Sequence, residues 1–485
     1  MSDAIDLRPV GYVIGLLLLI LAAAMAVPAT VDASAANGHW GAFAESALVT
    51  GLVGLCLALA CANGVGPRLS LQQTFLLTTG VWAVLPVFAA LPFAFGATGA
   101  DPTDALFEAM SGLTTTGATV LTGLGALPEG LLLWRGMLQW FGGIGIIVVA
   151  MVFLPELRVG GMQIFRSEGF DTMGKVLPRA AEIAAQIGGI YVGITLLCGV
   201  AYGAAGMSLL DASVHAMTTV STGGFANTDA SFGAYKGAPE WIATLFMLGA
   251  AAPFVLYVEL INGRGGPLWR DVQLRGFLGT YAVIVAVAVA VLALGRAVPV
   301  EAALREAAFN FASILTGTGY ASTDYNQWGA FLVTAFFFAG LIGGCAGSTS
   351  CSVKVFRYQI LLAAVTAQVR RIHSPHGVFR PRYGGRPVSE DVLASVMAFF
   401  VMFAISLGIV AVALAMTGLD FVTSVSGAAA ALANIGPGLG PIIGPAGNYA
   451  PLADPAKLIL VAAMLIGRLE LMVVFVLFTT RFWQA

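Results

Sequence analysis

Long apolar segments alternate with short polar ones along the chain, and this alternation predicts a bundle of membrane-spanning helices. A helix needs about 20 apolar residues to cross the hydrocarbon layer, and the first two apolar segments, residues 11–31 and 46–64, meet that length. After them one unit recurs, in which two apolar spans enclose a shorter, less apolar segment and an uncharged stretch that contains Gly. Apolar segments of about 10–14 residues are too short to cross a bilayer and are typical of re-entrant helices.

The recurring unit accounts for most of the chain. We predict its four copies at residues 71–156, 180–263, 273–369 and 390–485, after an N-terminal two-helix region at residues 1–70. The re-entrant helices are predicted at residues 103–113, 208–219, 301–314 and 421–432. The second spans of the second and fourth copies, residues 241–261 and 458–479, are each predicted as one helix. The pattern therefore predicts ten spans and four re-entrant helices, without a separate soluble domain.

Composition supports a membrane protein. Of the 485 residues, 58% are hydrophobic and 10% are charged, and the mean hydropathy is +0.89. This charge content is less than half of that of a soluble domain. The first apolar run has no clear cleavage site, so we expect it to be retained as a helix. We expect the five cysteines, Cys56, Cys61, Cys198, Cys345 and Cys351, to be packing residues, because they lie in or beside apolar segments.

Lys and Arg are concentrated in alternate loops, and this bias predicts the orientation of the chain. One set of loops holds Arg158, Arg166, Lys175, Arg179, Arg264, Arg270, Arg275 and the basic residues between Lys354 and Arg386. Loops rich in Lys and Arg lie on the cytoplasmic side of a membrane. We therefore expect both termini to be cytoplasmic and the four Gly-containing stretches to open to the outer side.

These four stretches carry the candidate chemistry. They read S-G-L-T-T-T-G-A-T-V-L at residues 111–121, V-S-T-G-G-F at 220–225, L-T-G-T-G-Y at 315–320 and A-N-I-G-P-G-L-G at 433–440. Non-helical backbone at membrane depth must be buried in protein or line water. Gly allows dihedral angles that turn successive carbonyl groups in one direction, and a ring of carbonyl groups can replace the water around a dehydrated cation. No stretch contains a carboxylate, so the pattern favours monovalent over divalent cations.

Close helix packing is the alternative interpretation of these glycines. It suits Gly142, Gly143 and Gly145, which lie within a predicted span. It suits the four stretches poorly, because they follow short helices and lack a regular spacing of small residues. The predicted fold is therefore an all-α polytopic membrane protein with four pseudo-symmetric span–re-entrant half-helix–filter–span repeats around one pore, plus two N-terminal transmembrane helices.

Three further motifs strengthen a family resemblance that the four stretches already carry. They are L-Q-W-F-G-G-I-G-I-I-V at residues 138–148, L-I-G-G-C-A-G-S-T-S at 341–350 and G-R-L-E at 467–470. Together the motifs resemble the Trk/Ktr/HKT superfamily of cation transporters, with the closest match to its bacterial potassium-uptake membrane subunits. The resemblance implies four pore-lining repeats arranged like the subunits of a potassium channel, K⁺ as the transported ion and no organic cofactor.

The resemblance also implies the residues that line the ion path. The expected K⁺ filter consists of Thr115, Thr116, Gly117, Ser221, Thr222, Gly223, Gly317, Thr318, Gly319, Asn434, Ile435 and Gly436. Relatives that carry Na⁺ often have Ser at the position of Gly117, so this Gly favours K⁺. In the second stretch we expect Gly223 to match Gly117, whereas an alignment of the Thr-Asp pairs farther along the chain favours Gly224. The fourth stretch, with Asn434 and Pro437, departs most from the others.

Two features are candidates for a gate. The run Gly343, Gly344, Cys345, Ala346, Gly347, Ser348 and Thr349 is a poor helix interior, and it resembles the intramembrane gate loop of the family. A Gly-rich kink at a packing contact is the alternative. Arg468 lies inside the last predicted span, where a charge is costly. It resembles a positive barrier below the filter, and a structural pair with an unidentified acid is the alternative.

Other polar residues have more ordinary interpretations. We expect Glu108 to brace the first filter, Asp211 and Glu306 to stabilise helix starts, and His215 to be a hydrogen-bonded packing residue. Asp229 and Asp324 are expected at the outer mouth, where they would concentrate cations unless they are only solvated loop charges. His373 and His376 are a weak metal signal.

The predicted function is channel-like uptake of K⁺ across the bacterial inner membrane, with or without proton coupling. A Na⁺/K⁺ transporter of the same fold is the alternative, and a secondary carrier or a membrane-embedded enzyme would need features that the chain lacks. The resemblance implies a homodimer and a cytosolic nucleotide-binding regulatory subunit of the TrkA type. Basic inner loops would meet that subunit or anionic lipid, and nucleic acid is not an expected partner.

Overall fold

The computed structural model describes residues 5–64, 69–149, 161 and 176–484, and helices dominate this part of the chain. Seven of its helical segments are long and apolar enough to cross a membrane. They are Arg8–Ser34, Trp40–Gly64, Leu71–Phe95, Glu129–Ile147, Ala185–Ala204, Val272–Gly295 and Glu390–Met416. The end of the predicted first repeat and the basic residues Arg68, Arg158, Arg166 and Lys175 lie outside the described residues, as does the side chain of Arg179.

The other three predicted spans are interrupted. The second span of repeat two, predicted as one helix, consists of Ala238–Ala250 and Phe254–Ile261, which are bent by 92°. In repeat three, a loop separates Ala330–Gly340 from Val355–His373. In repeat four, Asp454–Arg468 ends before Met472–Leu477 begins, so the prediction of one helix at residues 458–479 is also wrong.

The breaks in repeats two and four have local physical causes. Pro253 has no N–H to donate within a helix, and the carbonyl groups of Ala250 and Ala251 accept instead from the amides of Thr349 and Cys345. At the break in the last span, Glu470 and Leu471 both have positive φ, 62° and 42°. An α-helix cannot continue through two such residues.

Four short helices, here called pore helices one to four, stand between the two spans of their repeats. They are Pro102–Leu113, Leu209–Val220, Val300–Thr316 and Phe421–Ala433. Asp101, Ser208 and Asp420 cap three of them by accepting a backbone N–H. Hydrogen bonds from the Thr423 hydroxyl and backbone hold the pKa of Asp420 below its usual range. The carbonyl ends of all four helices lead into the Gly-containing stretches, so each helix dipole is negative there.

The N-terminal helices pack on repeat one. Arg8–Ala24 lies along Trp40–Cys61, where Gly15 and Gly54 allow the two backbones to touch. Asp32 is fully buried and accepts hydrogen bonds from Gly130 N at 2.8 Å and from His39 Nδ1 at 2.9 Å. The N-terminal region is thereby fixed to the start of the helix Glu129–Val148.

Two small strand pairs complete the described structure. Ile342–Gly343 pairs in parallel with Val353–Lys354 and closes the base of the loop in repeat three. Arg382–Tyr383 pairs antiparallel with Arg386–Pro387 in the basic segment before repeat four.

Candidate filter and gate

The four Gly-containing stretches converge on one axis. A Cβ added to Gly117 would overlap the carbonyl oxygen of Gly223, and one added to Gly224 would overlap that of Thr318. A Cβ on Gly319 would lie 2.6 Å from Gly436 N, and one on Gly436 would lie 2.9 Å from Gly117 O. Each stretch therefore touches the next, and only residues without a side chain fit where the four backbones meet.

Backbone angles give the register of the four stretches. The residues Thr115, Thr222, Gly317 and Asn434 all have positive φ, between 51° and 77°. Two residues farther along, Gly117, Gly224 and Gly319 have φ of 83°, 81° and 83°, whereas Gly436 is not in this region. Thr222, Gly223 and Gly224 are thus equivalent to Thr115, Thr116 and Gly117.

The expected match of Gly223 to Gly117 is therefore wrong by one residue, and Ser221–Thr222–Gly223 must be shifted to Thr222–Gly223–Gly224. Hydrogen bonds support the shift, because Thr116 N bonds to Ser111 O, five residues back, and Gly223 N bonds to Thr218 O, also five back. Ser221 instead caps pore helix two, as Thr114 caps pore helix one.

A cavity of about 470 Å³ lies against one side of the ring. Gly117, Gly224, Gly319 and Gly436 all line it, together with Asp229. Gly223 is not among its lining residues, which agrees with the corrected register. Asp229 supplies a carboxylate to this cavity, although the carboxylate also accepts a hydrogen bond from Gly123 N at 3.0 Å. Asp324 does not line the cavity and instead caps a short helical turn.

Hydroxyl groups form a layer just before the ring. Thr116 Oγ1 lies 2.7 Å from Thr114 Oγ1, and Thr318 Oγ1 lies 2.7 Å from Thr316 Oγ1. Asn434 Nδ2 donates to Thr116 Oγ1 at 3.1 Å and so joins the first and fourth stretches. Asn tolerates a positive φ better than most residues, which explains why it replaces Thr or Gly here.

One polar side chain of each pore helix makes a hydrogen bond to the segment that follows the Gly-containing stretch of the same repeat. The four pairs are Glu108 with Val120 N, Asp211 with the Asn227 side chain, Asn310 with Ser322 N and Ser426 with Leu439 N, at 2.8–3.1 Å. The brace expected for Glu108 is present. Sequence reasoning missed Asn310 and Ser426, although their similar distance from the stretches was a usable signal.

The second stretch has an additional support. Gln139 donates from Nε2 to Gly223 O at 2.6 Å and accepts from Phe225 N at 3.0 Å. Gln139 lies on the second span of repeat one and was not predicted as a site residue. One lone pair of the Gly223 carbonyl is therefore already engaged by protein.

Structural roles were also expected for two further residues of the pore helices. His215 is buried and its Nδ1 lies 2.8 Å from Asp211 O, in agreement with a hydrogen-bonded packing role. Glu306 does not lie at a helix start as expected, because pore helix three begins at Val300 and Glu301 is the acid of its first turn; the Glu306 carboxylate is 4.0 Å from Lys236 Nζ.

The loop of repeat three lies directly below the stretches. Ser350 donates from Oγ to Thr316 O at 2.7 Å, and Ser352 N donates to Ala433 O at 3.0 Å. Phe254 N donates to Gly347 O at 2.9 Å on the opposite side. The segment at residues 343–349 is non-helical, as expected, and all of it except Gly347 is buried.

Arg468 is buried at the end of the helix Asp454–Arg468, with 4% of its surface exposed. Its Nη1 lies 2.8 Å from Cys351 Sγ and its Nη2 donates to Gly142 O at 3.0 Å. No carboxylate among the described residues pairs with it, so the alternative of a structural acid partner lacks support. Glu470, two residues away, pairs with Arg357 instead.

The described residues hold no group of three or more His, Cys, Asp or Glu side chains that could bind a metal ion. His373 and His376 are exposed and belong to no such group.

Comparison with known proteins gives a consistent family. The family model TrkH, described as a cation transport protein, matches residues 63–485. The chain is 44% identical to the Trk system potassium uptake protein TrkI of Halomonas elongata, over 98% of this chain and 97% of that protein. It is 36% identical to the Trk system potassium uptake protein TrkH of Escherichia coli, over 98% and 99%.

A solved structure shares the fold. The crystal structure of the potassium transporter TrkH from Vibrio parahaemolyticus superposes with a TM-score of 0.91 at 32% sequence identity. The match covers 99% of this chain and 100% of that one. The predicted helical membrane fold and the predicted family resemblance are both confirmed.

Proposed function

Because the chain belongs to the TrkH family of cation transport proteins, we propose that it carries K⁺ inward across the bacterial inner membrane through the ring of four Gly-containing stretches. The convergence of these stretches carries the proposal. It brings carbonyl and hydroxyl oxygens together where no carboxylate of the stretches is present. Such a neutral oxygen site suits a dehydrated monovalent cation.

The proposed ligands follow the corrected register. They are Thr115, Thr116, Gly117, Thr222, Gly223, Gly224, Gly317, Thr318, Gly319, Asn434, Ile435 and Gly436. The negative ends of the four pore helices point toward this site and favour a cation there. Passage is channel-like and driven by the membrane potential, with the loop at residues 343–349 and Arg468 as the gate. The contacts that Ser350 and Ser352, directly after that loop, make with the ends of the third and fourth pore helices support a gating role.

Orientation and assembly are part of the proposal. Both termini face the cytoplasm, because the basic loops then lie on the side where Lys and Arg accumulate. Two copies form a dimer, and a cytosolic nucleotide-binding subunit of the TrkA type regulates the pore. The exposed residues Arg370 and Arg371 offer this subunit or anionic lipid a positive surface.

Ion flux in liposomes tests the proposal. The purified protein is reconstituted, and uptake is followed with K⁺ and with Na⁺ gradients under an imposed membrane potential. We expect K⁺ flux well above Na⁺ flux. Equal flux of the two ions would favour the Na⁺/K⁺ transporter instead. No flux of either ion, both in the unmodified protein and in the Arg468→Ala variant that lacks the proposed barrier, would refute the proposal.

A further inference from the structure

Cys351 lies between the buried charge of Arg468 and the first stretch. Its Sγ is 2.8 Å from Arg468 Nη1 and 3.4 Å from Thr115 Oγ1. Cys351 and Arg468 are 5% and 4% exposed. A thiol that was expected to pack against apolar side chains therefore contacts a guanidinium group and a candidate filter hydroxyl.

The surroundings of Arg468 make this contact important. Besides Cys351, its described contacts are the Gly142 carbonyl and the ring of Trp82, whose centroid is 5.4 Å from Cζ. Its Nε has no hydrogen-bond partner among the described residues. A buried cation with few acceptors is costly to hold in place, so the loss of one acceptor changes where the guanidinium lies.

The loop determines where the thiol points. On either side of Cys351, Ser350 bonds to Thr316 O and Ser352 bonds to Ala433 O. Gly317 packs closely against the same residue, since a Cβ added to Gly317 would lie 3.0 Å from Cys351 Cβ. The backbone at residue 351 is thus fixed to pore helices three and four, and its side chain faces repeat one and Arg468.

We propose that Cys351 is a positioning residue for Arg468, which holds the guanidinium below the filter so that the loop and the charge move as one unit. This inference rests on the proposed function, since it assigns a role within the same ion path. Release of the thiol contact would free Arg468 and the loop from each other. The closed arrangement would then be less populated.

Potassium flux of four variants in liposomes tests the proposal. Because a thiol sulfur is a weak acceptor, we expect Cys351→Ala to raise K⁺ flux several-fold, up to about tenfold, which is the range for the loss of one ordinary hydrogen bond. Cys351→Ser keeps an acceptor and is expected to stay near the unmodified protein. In an Arg468→Ala background, Cys351→Ala should give no further increase. Cys198→Ala, at a fully buried cysteine of the span Ala185–Ala204 that belongs to neither the gate nor the filter, is the matched control and should leave K⁺ flux unchanged.

Unchanged flux in folded Cys351→Ala protein, or a full additional increase in the Arg468→Ala background, would overturn the proposal. A second measurement does not depend on ion flux. Melting temperatures in detergent of the two single variants and the double variant form a cycle, and direct contact predicts that their effects are not additive. Additive effects for Cys351 and Arg468, like those expected for Cys198 and Arg468, would also overturn it. If the protein carries no K⁺, this cycle still shows whether Cys351 and Arg468 are coupled.

Discussion

Glu108 and Arg135 form an ion pair that is closed off from solvent beside the first filter. Arg135 Nε lies 2.8 Å from Glu108 Oε1, and neither side chain is more than 1% exposed. The same carboxylate accepts from Val120 N and from Thr119 Oγ1. Arg135 also donates to Ala226 O at 2.7 Å, so the pair links the segments that follow the first and second filters.

Neutralising the acid of this pair should destabilise the protein. We expect Glu108→Gln to lower the melting temperature, because Arg135 would remain buried without a counter-charge. Removal of one partner from a buried pair costs about 3–5 kcal/mol, and an amide that still accepts hydrogen bonds puts this variant at the lower end. Glu129→Gln, at an exposed helix start in the same repeat, is the control and should change little. Equal melting temperatures for the two variants would contradict a bracing role.

Gly117→Ser should reduce the preference for K⁺. A Cβ at this position would overlap the carbonyl oxygen of Gly223, and φ is 83°. The first and second filters must then move apart or lose a carbonyl ligand, which changes the site size. The measurement is the ratio of K⁺ to Na⁺ flux in liposomes. Gly123→Ser is the matched control, because Gly123 also has a positive φ, 66°, but a Cβ there meets no atom within 4 Å. The same ratio in both variants would argue against a filter at Gly117.

The four pore helices and the Gly-containing stretches after them could be predicted from sequence, but not the exact register of the stretches. Short apolar segments followed by Gly and Thr predicted all four pore helices to within a few residues. The error at Gly223 arose because the letters S-T-G resemble T-T-G. The register is instead set by the distance of each residue from the end of its pore helix. Pore helix one ends at Leu113 and pore helix two at Val220. Thr115 and Thr222 are each two residues farther along.

The broken spans were less visible in the sequence. The apolar segment of the last span shows no interruption at residues 469–471 that would indicate a break. The break depends on the positive φ of Glu470 and Leu471, which are not typical turn residues. Pro253 was a usable signal for the 92° bend in repeat two. The partners of Arg135 and Arg468 required the tertiary structure, because they lie on different repeats.

Asn434 should be sensitive to both its backbone and its side chain. Its φ is 51°, and its Nδ2 bonds to Thr116 Oγ1 and to Met464 O. Asn434→Ala loses the hydrogen bonds and adds left-handed strain of about 1 kcal/mol. Asn434→Gly loses only the hydrogen bonds. We therefore expect the unmodified protein to have the highest melting temperature, Asn434→Gly a lower one and Asn434→Ala the lowest. A melting temperature of Asn434→Ala equal to or above that of Asn434→Gly would show that the backbone angle is not the constraint.

Arg468→Ala should raise K⁺ flux. In the proposed ion path the guanidinium is a fixed positive charge below the filter, and its removal would take away the repulsion that a cation meets there. Flux in liposomes at equal protein content provides the measurement, and Arg481→Ala, an exposed arginine near the end of the chain, is the control. Unchanged or lower flux in a folded Arg468→Ala protein would contradict the barrier role.

Glu470→Gln tests whether the break in the last span depends on an ion pair. Arg357 is fully buried, with Cζ 3.8 Å above the ring of Phe399, and it pairs with Glu470. Arg357 follows the gate loop, and Glu470 is two residues from Arg468, so the pair joins the two gate candidates. Glu470 also has a positive φ, 62°, which is unfavourable for this residue type. The pair must therefore offset local backbone strain.

We accordingly expect Glu470→Gln to lower the melting temperature and to raise basal K⁺ flux, because Arg468 would no longer be held in register with the loop. Glu390→Gln, an exposed acid at the start of the helix Glu390–Met416, is the control and should cost only a few tenths of a kcal/mol. If Glu470→Gln lowers stability without changing flux, the pair supports the fold alone. An increase in flux at unchanged stability would mean that the pair acts on the gate and that strain at residue 470 is small.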